Sequence, residues 1–82
     1  MRKITKTSLK KALKNNIYLS DYKVIRDSEN RLEVAYHYFT VEFSIHGEQQ
    51  QYLSFYVNGS ITYVMCEQLI GIMNDLEGIV RG

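Results

Sequence analysis

The chain has 82 residues and a mass of 9.6 kDa, with 45% hydrophobic, 12% aromatic and 23% charged residues, a balance that excludes disordered and low-complexity classes and leaves room for one core. The net charge of +1 hides an asymmetry. Residues 1–14 carry six cations and no acid, whereas the remainder sets four cations against nine acids, a formal −5.

One cysteine, Cys66, cannot close an intramolecular disulfide, which points to a reducing compartment, the cytoplasm. The longest weakly charged stretch, Ile61 to Met73, is broken by Glu67 and falls short of the ~20 residues that span a bilayer. A membrane role is not expected.

In chain order, Thr7 or Ser8 can cap a first helix over about 7–15. Leu9, Ala12, Leu13 and Ile17 then share one apolar stripe, and Lys10, Lys11 and Lys14 take the other side. Asn15-Asn16 suits its end. A sheet is expected over about 18–57: a first strand around Tyr22–Arg26, a turn at Asp27-Ser28-Glu29-Asn30, a long strand from Arg31 to His46, a turn at His46-Gly47-Glu48-Gln49, and a third strand from Gln51 to Val57. Asn58-Gly59 suits a hairpin, but Ile61, Val64, Met65, Leu69, Ile72, Met73 and Leu76 repeat with helical spacing. A second helix over about 61–77 is therefore predicted, capped by Ser60 or Thr62 and ended by Gly78, with Gly71 letting it approach the sheet. The expected fold is α+β, a three-stranded antiparallel meander between two helices (αβββα), in a single domain spanning 1–82.

The long strand poses a problem of faces. Its apolar residues first take even positions, Leu32, Val34, Tyr36 and Tyr38, then odd ones, Phe39, Val41, Phe43 and Ile45. Strand side chains alternate, so both sets enter one core only if a β-bulge near Tyr38-Phe39 resets the phase. The alternative is a regular strand that exposes Leu32, Val34, Tyr36 and Tyr38. With Tyr52 and Tyr56 of the third strand, these would form a protein interface or a self-association surface, since tyrosine gives large contact area at small entropic cost. A homodimer is compatible with such a face. The candidate interface residues are Val34, Tyr36, Tyr38, Tyr52 and Tyr56.

Lys6, Lys10, Lys11 and Lys14 are candidates for contact with nucleic acid or an acidic partner, against their plainer reading as a solvated helix face. No phosphate loop, zinc-spaced set or nucleophile elbow occurs. His37 and His46, with Glu42 and Glu48 nearby, offer at most a weak acid–base pair, and Cys66 reads as a small buried thiol. The expectation is a non-enzymatic protein without cofactor or metal. A helix–three strands–helix order also belongs to double-stranded RNA-binding domains, but these place lysines at the start of the second helix, whereas the second helix here carries Glu67, Asp75 and Glu77 and no lysine.

The Met-Arg-Lys-Ile-Thr-Lys start, the abundance of Lys, Asn, Ile and Tyr, and the absence of chemical motifs make the whole chain resemble small proteins of phages and mobile elements. In size and inferred element order it is similar to some type II anti-CRISPR inhibitors. That resemblance implies an inhibitor that binds a host protein, a Cas nuclease or its guide-RNA complex, and occupies a DNA-binding or nuclease surface. It transfers no functional residue. The alternative is a nucleic-acid-binding accessory protein acting through the basic helix.

Overall fold

The computed structural model describes residues 2–81, so positions 1 and 82 of the expected domain lie outside the described residues. The elements are α1 (Lys6–Lys14), β1 (Lys23–Ser28), β2 (Arg31–Ala35), β3 (Phe39–His46), β4 (Tyr52–Gly59) and α2 (Tyr63–Arg81). The α+β class holds. The sheet has four antiparallel strands in the order β1-β2-β3-β4, one more than the three expected.

Neither a bulge nor an exposed regular strand resolves the change of face. The long segment folds back on itself: Tyr36 N–H donates to the Phe39 carbonyl at 2.8 Å, and β2 pairs with β3 through Val34↔Val41 and Leu32↔Phe43. Even residues before the hairpin and odd residues after it therefore share one face. Val34 is fully buried beside Leu32, Val41 and Phe43, which removes it from any interface. The sheet's one register shift lies in β1 instead, between Val24 and Arg26.

The inner face continues through Phe43↔Phe55, Val41↔Val57 and Ile45↔Leu53. It shares one core cluster with Ile4, Leu9, Leu13, Leu19, Leu69, Ile72 and Leu76. Removing such side chains from water contributes about 1.5–3 kcal/mol each. The opposite face is crossed by the row Arg26, Glu33, Glu42 and Tyr56, none of them buried.

Helix α1 starts one residue earlier than expected because Thr5, rather than Thr7 or Ser8, is its cap. Thr5 Oγ1 accepts from Ser8 N–H at 3.0 Å, and Ser8 Oγ accepts from Thr5 N–H at 3.0 Å. This is a capping box with serine in the usual Glu position. The helix ends before Ile17, which is 85% exposed and not part of the apolar stripe. Helix α2 is capped by Thr62 Oγ1, which accepts from Met65 N–H at 3.2 Å, and it runs through Gly78 to Arg81 rather than stopping at Gly78. Gly71 does not bring α2 onto the sheet, since a Cβ there would meet nothing within 4 Å. Glu77 makes the link to the sheet instead: its Oε2 accepts from Leu53 N–H at 3.0 Å.

Candidate functional site

Three connections meet at one end of the sheet. The link between α1 and β1 carries Ile17, Tyr18 and Asp21, the β2–β3 hairpin carries Tyr36, His37 and Tyr38, and the segment after β4 opens α2 with Tyr63 and Val64. Specific hydrogen bonds tie them together. Tyr36 Oη donates to the Leu19 carbonyl at 2.8 Å, Ser60 N–H to the Tyr38 carbonyl at 3.0 Å, and Asn16 Nδ2 to Gln68 Oε1 at 2.8 Å. Leu19, fully buried, pins the first connection into the core.

The hairpin tip, His37-Tyr38, contains no Gly, Asn, Asp or Pro, and neither residue has a positive φ. Aromatic contacts hold it. Tyr36 stacks on Phe39 with centroids 4.9 Å apart, and His37 meets Tyr38 edge to face at 4.3 Å, arrangements that contribute about 0.5–1.5 kcal/mol per pair beyond burial. Gly59 completes the support. With φ of +115° it lies so close to the hairpin that a Cβ would sit 2.6 Å from the Tyr38 carbonyl oxygen.

Between these segments lies a concavity of about 260 Å³, walled by Tyr18, Asp21, Tyr36, His37, Tyr38 and Phe39, with Met65 behind. Tyr36 is a half-buried wall rather than a free surface ring. Burial pushes its phenol above the usual tyrosine range, and neighbouring Tyr22 adds to the shift. Tyr38 is 72% exposed.

The five expected interface residues are therefore not one patch. Val34 is core, Tyr36 packs on Phe39, and Tyr38 lies at the hairpin tip. Tyr52 and Tyr56 remain exposed on the outer sheet face, opposite His46 and Glu42, and stand roughly 13 Å apart along β4. Ile17 and Tyr63, 85% and 78% exposed, were not legible as surface residues. The helical stripe claimed Ile17, and no periodic signal marked Tyr63.

Three of the four candidate lysines are engaged within the chain. Lys6 and Lys10, one turn apart on α1, both pair with Asp27 of β1, and Lys6 also donates to the Ser28 carbonyl at 2.8 Å. The Lys10 hydrogen bond, then that of Lys6, holds the Asp27 carboxyl below the usual aspartate range. Lys14 reaches the Ser20 carbonyl and lies 5.0 Å above the Tyr22 ring. Only Lys11 projects without a partner among the described residues.

His37 lies in the β2–β3 hairpin and His46 ends β3, a strand that alone spans roughly 23 Å by its rise, so the two cannot act on one substrate atom together. Cys66 is only half-buried, not the core thiol expected. It lines a shallow groove on the outer side of α2 with Tyr63, Ile70 and Gly71. Among the described residues, no three His, Cys, Asp or Glu side chains are grouped closely enough to hold a metal ion, and no helix is long and apolar enough to cross a membrane.

Comparison of the chain with protein-family models, with curated proteins and with solved structures finds no match.

Proposed function

We propose that this chain is a non-enzymatic protein-binding inhibitor that docks through the aromatic end of its sheet. Its main support is a convergence: of the eleven large hydrophobic residues left exposed, Ile17, Tyr18 and Tyr38 lie in connections that meet there and Tyr63 and Val64 in the first turn of α2, which the third connection enters. A single exposed apolar residue is ordinary, but the grouping of five at one end of the sheet favours a partner. Rings held by stacking and hydrogen bonds, as at the hairpin, enter an interface with little further loss of freedom.

The finer proposal is a mobile-element inhibitor of a type II RNA-guided Cas nuclease. It rests on the resemblance of size, composition and element order. The nucleic-acid alternative has less support, because Lys6, Lys10 and Lys14 are occupied by Asp27, Ser20 and Tyr22.

The test is capture from bacterial lysate on the immobilised chain, with and without nuclease treatment, followed by binding of the purified partner to the wild type and to Tyr63→Ser and Ile17→Ser. A partner retained after nuclease treatment, and bound at least ten-fold more weakly by both variants, is expected. Retention that depends on intact nucleic acid, or variants that bind like wild type, would overturn the reading.

A further inference from the structure

The concavity at the aromatic end has a chemistry of its own. It is lined by Tyr18, Tyr36, Tyr38 and Phe39 together with His37, and Asp21 is the one acidic residue among its walls. Asp21 is exposed and forms no ion pair among the described residues, in contrast to Asp27, which holds two lysines. No lysine or arginine lines the space.

From this arrangement we infer that the concavity is a receptor for an arginine side chain of the docking partner, a proposal that rests on the protein-binding reading above. Ring faces carry negative electrostatic potential and attract a cation within about 6 Å of the centroid. A guanidinium is planar and weakly hydrated, so it can stack on tyrosine while its N–H fork meets a carboxylate, a combination that a lysine ammonium does not reproduce. At about 260 Å³ the space lies below the roughly 300–1,000 Å³ typical of pockets for free small ligands. That size suits one inserted side chain. A simple cation–π contact already occurs at the surface of this chain, where the Lys14 ammonium lies 5.0 Å from the Tyr22 ring centroid. In the complex, Tyr18 and Tyr38 would flank the guanidinium and Asp21 would accept its N–H groups at the mouth. The Tyr36–Phe39 stack would form the wall behind.

The pocket can be tested without the partner. N-acetyl-arginine-methylamide, titrated into the labelled chain and followed by NMR, is expected to shift the ring signals of Tyr18 and Tyr38 and the amides of Asp21 and His37, saturating in the millimolar range. The neutral citrulline analogue, which keeps the shape and removes the charge, is expected to bind at least five-fold more weakly. Asp21→Asn should lower arginine affinity by about ten-fold, the effect of losing one charge-assisted contact. Because Asp21 is exposed, the variant should fold as the wild type does. Tyr38→Ser, also at an exposed position, should weaken binding about three-fold through the lost cation–π contact. Equal binding of arginine and citrulline, an affinity indifferent to Asp21→Asn, or no saturable shift at about 50 mM, a weakness beyond useful recognition, would each overturn the proposal. Partner binding that survives Asp21→Asn but is lost in Tyr63→Ser would also overturn it, while leaving the docking surface in place. Selective arginine binding by a chain that captures no partner would support the pocket and remove the docking reading instead.

Discussion

Tyr36 and Tyr38 stand two residues apart in one hairpin, yet replacing each by serine should have unlike consequences. Tyr36 donates its hydroxyl to Leu19 and stacks on Phe39, whereas Tyr38 is largely in water. Losing the hydrogen bond costs about 1 kcal/mol net. Losing the stacked pair costs about 1 kcal/mol more, and re-exposing the half-buried ring's surroundings adds about another 1 kcal/mol. Tyr36→Ser should therefore destabilise by about 3 kcal/mol, and Tyr36→Phe by about 1 kcal/mol. At about 4–8 °C per kcal/mol for a chain of this size, the serine variant should lose roughly 12–24 °C in Tm. Tyr38→Ser, which loses only the exposed edge-to-face contact with His37, should cost no more than about 1 kcal/mol. Urea unfolding followed by far-UV circular dichroism separates these outcomes. The wild type should also show an alkaline limb that Tyr36→Phe lacks. Because the folded phenol holds its proton more tightly than the unfolded one, this stability is complete below about pH 10 and is lost above it as the unfolded chain ionises. Equal costs for Tyr36→Ser and Tyr38→Ser would refute the hairpin and restore a continuous strand.

Two glycine substitutions should have opposite signs: Gly71→Ala, on an open face of α2, should stabilise by about 0.5–1 kcal/mol, and Gly59→Ala should destabilise by about 1–3 kcal/mol because its Cβ meets the hairpin backbone at positive φ; thermal denaturation reads both. Asp27→Asn should remove part of the acid sensitivity of folding. The wild-type contribution is complete above the unfolded aspartate value of about 3.9 and is lost as pH falls through the lower folded value, so the two chains should converge at low pH in acid titrations followed by circular dichroism. Changing Lys6, Lys10, Lys11 and Lys14 to Gln should leave the salt dependence of partner binding nearly unchanged. A slope reduced by about 0.9 per lysine would instead assign them to duplex phosphates.

Patterns with a strong period were legible. The stripe Leu69, Ile72 and Leu76 identified α2, and the alternation of Leu53, Phe55 and Val57 identified the inner face of β4. The hairpin at His37-Tyr38 was not, because turns are usually read from Gly, Asn, Asp or Pro, and this one is held by ring stacking and by Gly59 from another strand. Once the phase change between Tyr38 and Phe39 is attributed to a reversal, it becomes the signal that was present. The Thr5 cap was obscured by three nearby hydroxyls, of which only the Thr5–Ser8 pair has reciprocal spacing. The lysine-rich helix was visible as charge, but its pairing with Asp27 depends on β1 lying beside α1, a long-range relation that no local pattern encodes. The aromatic end was illegible for the same reason, since it assembles residues 17–21, 36–39 and 60–65.

The central claim is stoichiometric inhibition through protein contact, and titration against guide-loaded type II Cas nucleases tests it most directly. With nuclease well above the dissociation constant, DNA cleavage should fall linearly and reach its minimum at a fixed molar ratio. Tyr63→Ser should move that curve to much higher concentration, and mixing before adding target DNA should inhibit more than mixing afterwards. Inhibition at far below one molecule per nuclease, or a panel of such nucleases untouched at large excess while the chain binds DNA, would contradict the account.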